Sequence, residues 1–162
     1  MDGISSAASI IAVIQLTGSI VKICGSYIQE VKVARREIIS FQQQVAELAE
    51  IFEKLSELPQ KHNGTKLATS QRLVNDTTQC FAMLGVLRKK IDPGAKRKAM
   101  SRLGLRAMKW PLKRAEVDKV MMDLERYKSL FTLSLLMDQT YVRERLDNRI
   151  PAEACLEPPS PI

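Results

Sequence analysis

The side chains of this sequence that could carry out bond chemistry are few: one histidine, His62, and three cysteines, Cys24, Cys80 and Cys155. His62 sits in Pro59-Gln60-Lys61-His62-Asn63-Gly64, which reads as a turn from its Pro and Asn-Gly signals. A single turn histidine reads as a surface residue rather than an acid or base. No two cysteines form a CxxC pair and their number is odd, which points to a reducing compartment. The seven glycines, at 3, 18, 25, 64, 85, 94 and 104, are too scattered for a phosphate-cradling loop. HExxH and EF-hand spacings are absent. Glu47 and Glu50 stand three apart, but no Glu-x-x-His accompanies them, so a di-iron bundle has no ligands. An enzyme is therefore not expected, nor a catalytic residue, metal, cofactor or small-molecule substrate.

Charge offers a different chemistry. Between Arg88 and Arg114 stand eleven lysines or arginines against one acid, Asp92, a local +10 in a chain of net +7. Such an excess reads as a solvated face or as a surface for an anionic partner. The residues assigned to anionic lipid are Arg88, Lys89, Lys90, Lys96, Arg97, Lys98, Arg102, Arg106 and Lys109. Nucleic acid is disfavoured, because Trp110 is the nearest aromatic and no zinc-finger, homeodomain or RNA-platform motif occurs.

The opposite extreme lies at the N-terminus. No charged residue occurs between Asp2 and Lys22. These 19 residues would span about 28 Å of helix, near the apolar thickness of a bilayer. Gln15, Ser19, Lys22, Ser26 and Gln29 step by four, three, four and three and line one narrow strip; almost everything else there is apolar or small. A helix apolar over most of its circumference belongs in the middle of a bundle or in lipid. The residues assigned to membrane insertion are Ile4, Ile10, Ile11, Val13, Ile14, Leu16, Ile20 and Val21. Packing in a bundle centre explains the same residues, with Ala7, Ala8, Gly18 and Gly25 letting neighbouring backbones approach. Lys22 opposes deep insertion, though at the end of the gap it can snorkel. The Ser, Thr and Gln content argues against a permanent span. Asp2 and the lack of a basic leader argue against a signal peptide, and Gly at position 3 rather than 2 does not fit the myristoylation pattern.

Four long helices would position these groups. The first spans about 3–29. The second, about 31–58, carries the stripe Val31, Ala34, Ile38, Phe41, Val45, Leu48, Phe52, Leu55, with Glu47, Glu50, Glu53 and Glu57 facing away. Its alternating three–four spacing suits shallow-angle packing. A turn over 59–66 leads to the third helix, about 67–91, with Leu73, Thr77, Cys80, Leu84, Leu87 and Ile91 inward. Asp92-Pro93-Gly94 breaks it, and 95–109 is a basic loop or short basic helix. Trp110-Pro111 reads as the start of the fourth helix, about 111–149, since Pro suits the first helical turn; its inner stripe is Val117, Val120, Leu124, Tyr127 and Phe131. Trp110 is expected to be a packing anchor. Four prolines within 151–162 predict an unfolded tail or the start of a linker. The fold class is all-α: one bundle over 1–150 with a basic connecting segment.

Two stretches resemble fungal HeLo-like domains. The opening MDGISSAASIIAVIQLTGSIVK is similar to that family's start, a Met-Asp followed by Ala-Ser-Ile/Val-Ile-Ala-Val/Leu-Leu-Gln. The later Lys109-Trp110-Pro111, Glu125-Arg126-Tyr127-Lys128-Ser129-Leu130 and the apolar run Leu133 to Met137 resemble its second signature. Together they frame most of 1–149. The resemblance implies an N-terminal domain of fungal NLR-like STAND receptors, which often precedes a NACHT ATPase and a repeat sensor. It implies a role in regulated cell death and innate immune signal transduction, with the first helix targeting membranes when the receptor oligomerises. The chain would then be a trimmed domain or a short stand-alone relative. The expected partners are a second copy or an adaptor protein and anionic lipids, and the expected location is the cytoplasm with recruitment to the plasma membrane. The competing expectation is a homotypic interaction module with no membrane step.

Overall fold

The computed structural model describes residues 2–57, 67–104 and 109–147. The turn at 59–66, with His62, and the tail from 151, with Cys155, lie outside them. Five helices follow one another: α1 (Asp2–Glu30), α2 (Arg35–Glu57), α3 (Leu67–Ile91), α4 (Gly94–Arg102) and α5 (Arg114–Asp147). No strand occurs among the described residues. The chain is all-α, as its stripes require.

The packing order is not the chain order. α1 packs against α2 and α3; α5 packs against α2 and, over a shorter stretch, α3. Thus α1 lies diagonally across from α5, and α2 across from α3. The side-chain links give the directions. Gln42 Nε2 donates to the Val21 carbonyl at 2.9 Å, as expected for antiparallel α1 and α2. Tyr27 Oη donates to the Ile91 carbonyl at 2.7 Å, so α1 and α3 run in parallel and end together. That bond also satisfies a C-terminal helix carbonyl left without an intrahelical donor.

The core follows the stripes. Ile38, Phe41, Val45, Leu48, Phe52 and Leu55 of α2 are buried. So are Cys80, Leu84, Leu87 and Ile91 of α3, and Leu124, Tyr127 and Phe131 of α5. Phe52 and Phe131 meet at 4.5 Å between ring centroids, in the range where tilted aromatic pairs add to burial. Thr17 and Thr77 are polar yet buried, because each hydroxyl donates at 2.7 Å to a carbonyl of its own helix, Ile14 and Leu73 respectively.

Two helix starts fall later than the sequence suggests. α2 begins at Arg35, not near Val31, because an antiparallel reversal needs loop; residues 31–34 supply it without Gly or Pro, and Val33 is fully exposed. Val31 and Ala34 still rest on the core. α5 begins at Arg114, three residues after Pro111. Its cap explains the position: Glu116 Oε2 accepts from the Lys113 backbone N–H at 2.9 Å, the return half of a capping box. At the other break, Asp92 Oδ1 accepts from the Gly94 N–H at 3.0 Å. Gly94 (φ 74°) and Gly104 (φ 70°) hold left-handed conformations at the two ends of α4, where a side chain would be strained.

The small residues of α1 act differently from expectation. Gly18 faces outward, with no neighbouring atom within 4 Å of where a Cβ would sit, so it opens no close approach. Ala8 is exposed. Gly25 alone approaches a neighbour, with Gln42 Nε2 at 3.7 Å from that point. The side chain of Ala7 lies outside the described residues.

Candidate membrane-facing site

α1 holds the residues assigned to insertion, and the bundle divides them. Ile10, Val13 and Ile20 are buried. Ile14, Leu16 and Val21 pack on the core from its margin, and Ile11 is 51% exposed. The side chain of Ile4 lies outside the described residues. The outward line is Ala8, Ile11, Gln15, Gly18 and Lys22, all exposed, stepping by three and four. From Ala8 the outer face of α1 therefore has no charge until Lys22. From Ala8 to Glu30 the helix is 23 residues long, with a mean hydropathy of 1.7 in its most apolar stretch, of which 39% is buried. That is the length and composition needed to cross a bilayer.

The basic residues sort into three groups. Arg88, Lys89 and Lys90 end α3, where cations also complement the helix dipole. Lys90 is engaged: its Nζ lies 3.2 Å from Glu116 Oε1. Arg97, Lys98 and Arg102 are exposed on α4, and Lys109 beyond it. The side chain of Lys96, and Arg106 altogether, lie outside the described residues. Of the segment 95–109, left open between loop and helix in the sequence, residues 95–102 belong to the nine-residue helix α4, 103 and 104 form a turn, and 105–108 lie outside the described residues.

α3 and α4 bring part of this charge onto α1. A pocket of about 420 Å³ is lined by Ser19, Lys22, Ile23, Ser26 and Glu30 of α1, Arg88 and Asp92 at the end of α3, and Lys98 and Arg102 of α4. Ser19, Lys22 and Ser26, the middle of the narrow polar strip of the first helix, lie in the wall of this pocket. Lys22 and Glu30 were missed as site residues, although the strip spacing was the signal that could have found Lys22.

Trp110 is the anchor its position suggests. Its ring meets Tyr27 at 5.1 Å and Phe41 at 5.9 Å, both edge-on, tying the α5 approach to the α1–α2 end of the bundle. Its indole N–H is buried without a partner among the described residues.

A second polar cluster was not foreseen. Lys128 reaches from α5 to Glu47 of α2 at 2.8 Å, to Glu125 at 2.8 Å, and to Gln44. Burial disfavours its ammonium, but the hydrogen bonds to Glu125 and Glu47 outweigh that and hold its pKa above the usual lysine value. Glu47 is correspondingly held below the usual carboxylate range by its hydrogen bond from Lys128. Glu47 therefore does not face away with Glu50, Glu53 and Glu57; it turns toward α5. Cys24 and Cys80 are free and buried, and burial pushes the Cys80 thiol up to about 12, so it is inert in the packed bundle. No group of three or more His, Cys, Asp or Glu among the described residues could hold a metal ion.

Comparison with protein families matches one model, described as pigment biosynthesis cluster protein PigL N-terminal, over residues 1–147. The chain belongs to that family. The match covers α1 through α5 as one unit and agrees with a fungal N-terminal helical domain. No curated protein and no solved structure gives a significant match.

Proposed function

We propose that this PigL N-terminal domain is the non-catalytic signalling end of a fungal NLR-like immune or cell-death receptor, and that on oligomerisation it associates with anionic membranes. The observation that carries the reading is the outer face of α1. A helix of bilayer length is packed on one side and uncharged along the other from Ala8 to Val21, with Ile11 half exposed. The outer face of a helix that stays in water carries charged or polar residues, and between Ala8 and Lys22 the exposed line of α1 holds one polar side chain, Gln15. The cations of α3 and α4 stand beside its C-terminal half, where each basic residue near an anionic surface contributes about 1 kcal/mol. The resemblance to HeLo-like domains supports the same role. The family description names a pigment cluster protein and an N-terminal portion, and neither requires catalysis in this domain.

The test is sedimentation with vesicles of phosphatidylserine and phosphatidylcholine, set beside vesicles of phosphatidylcholine alone, with the chain at rest and clustered by a fused oligomeriser. Association with the anionic vesicles that increases on clustering supports the reading. A clustered protein that stays in the supernatant with both removes the membrane step. One observation favours the second reading, a homotypic or adaptor-binding module: α5 exposes Leu133, Leu136 and Met137, and the first two line the α2–α5 groove. Concentration-dependent self-association without vesicle binding would select it.

A further inference from the structure

The pocket between α1, α3 and α4 has a chemistry of its own. Four cations, Lys22, Arg88, Lys98 and Arg102, converge on it from three helices. Against them stand two carboxylates, Glu30 and Asp92, and Asp92 already spends Oδ1 on the Gly94 N–H. None of the four cations has an ion-pair partner among the described residues. Ser19 and Ser26 add hydroxyls to the wall. Two guanidinium forks, two ammonium groups and the Ser19 hydroxyl make a donor-rich set that suits phosphate oxygens, while the Ser26 hydroxyl donates to the Lys22 carbonyl at 3.5 Å. The volume, about 420 Å³, is that of a small-molecule site and exceeds what one phosphate fills. Like charges gathered in a concave site also cost stability until an anion neutralises them.

We infer that this pocket binds a group carrying several phosphates, either a free polyphosphorylated small molecule or the head of a polyphosphorylated lipid. The ligand bridges Lys22 of α1 to Arg88 at the end of α3 and to Lys98 and Arg102 of α4. Lys22, which reads from sequence as an obstacle to insertion, thereby becomes a ligand-binding residue. The inference rests on the membrane reading only for the second of these two sources.

The experiment is calorimetric titration of the full chain at physiological salt with inositol hexakisphosphate, with inorganic phosphate as the single-group comparison. A parallel arm uses phosphatidylcholine vesicles carrying either phosphatidylinositol bisphosphate or phosphatidylserine at matched surface charge. The variants are Lys22→Gln with Arg102→Gln, and, as a control removing equal charge elsewhere, Lys32→Gln with Lys119→Gln; all four positions are exposed, and circular dichroism verifies folding. The expected result is saturable one-site binding of hexakisphosphate, much tighter than phosphate. It weakens about tenfold or more in the pocket variant and much less in the control, as losing two charge-assisted contacts implies. A preference for bisphosphate vesicles that disappears in the same variant identifies a lipid head as the source; binding of hexakisphosphate alone identifies a soluble one. Equal loss in pocket variant and control, or no saturable binding in either arm, overturns the site. Vesicle association that survives such a failure leaves the membrane reading standing, and hexakisphosphate binding without any vesicle association does the reverse.

Discussion

α1 and α2 are antiparallel neighbours that differ on the side turned away from each other. α2 exposes Arg35, Arg36, Glu50, Glu53, Lys54 and Glu57. From Ala8 onward, α1 exposes Ala8, Ile11, Gln15 and Gly18 before a charge faces outward at Lys22. Both bury a full stripe, so both belong to the core. Only α2 is bound to water by its outer face. Inserting one of its charges at the centre of a bilayer costs about 2.5–3.5 kcal/mol on translocon scales. For α1 that term is absent over most of its length. The difference separates two things that hydropathy alone merges: being needed by the bundle and being confined to it.

The largest effects should come where the helices agree. Phe52→Ala on α2 and Ile20→Ala on α1 each empty a fully buried site and are expected to cost about 3–5 and 2–5 kcal/mol respectively, measured by urea unfolding. A near-neutral Ile20→Ala would mean that α1 is not held in the packed interior, and the comparison would lose its first half. Next come substitutions where the helices differ. Ile11→Glu on α1 and Ile39→Glu on α2 replace isoleucines of similar exposure, 51% and 44%. Both should leave folding stability within about 0.5 kcal/mol, as surface changes do. Binding to anionic vesicles should fall tenfold or more for Ile11→Glu and barely for Ile39→Glu, and equal losses would erase the distinction.

A smaller effect tests how firmly α2 is tied down. Lys128→Met keeps the packed stem but removes the ammonium between Glu47 and Glu125, and should lower stability by about 1 kcal/mol. The smallest is a pH dependence. Glu116 is held below the usual carboxylate range, first by the Lys113 N–H and then by Lys90; Glu47 is held down by Lys128. With folded pKa values below the unfolded ones, their contribution is present above the unfolded value, about 4.3, and is lost as pH falls through the folded values. Thermal midpoints should decline on acidification through that window, and Glu116→Gln with Glu47→Gln should flatten the decline.

Much of this architecture was legible in the residues. The stripes of α2 and α3 named their buried faces, because a three–four spacing leaves a long helix one way to pack. Trp110 was legible as an anchor from its place before Pro111. The helix starts were not: nothing in Val31-Lys32-Val33-Ala34 breaks a helix, and the Lys113–Glu116 cap outweighed the proline signal. The pocket was half legible. The strip Ser19, Lys22, Ser26 showed in sequence as polarity without purpose; that it faces Arg88 and Arg102 depends on α3 ending beside α1 and on α4 folding back, which are tertiary facts. Lys128 was invisible as a link for the same reason, since its partner Glu47 lies 81 positions away.

The account depends on α1 being able to leave a core to which it contributes. Cys80 of α3 reports this directly, being free and buried in that core. In a chain with Cys24→Ala and Cys155→Ser, the rate of Cys80 labelling by a water-soluble maleimide would be measured with the protein clustered, with and without anionic vesicles. Departure of α1 into lipid should uncover α3 and speed labelling many-fold. Labelling that stays as slow beside the vesicles as in their absence, while the protein sediments with them, would show that membrane association leaves α1 in place and would contradict the central claim.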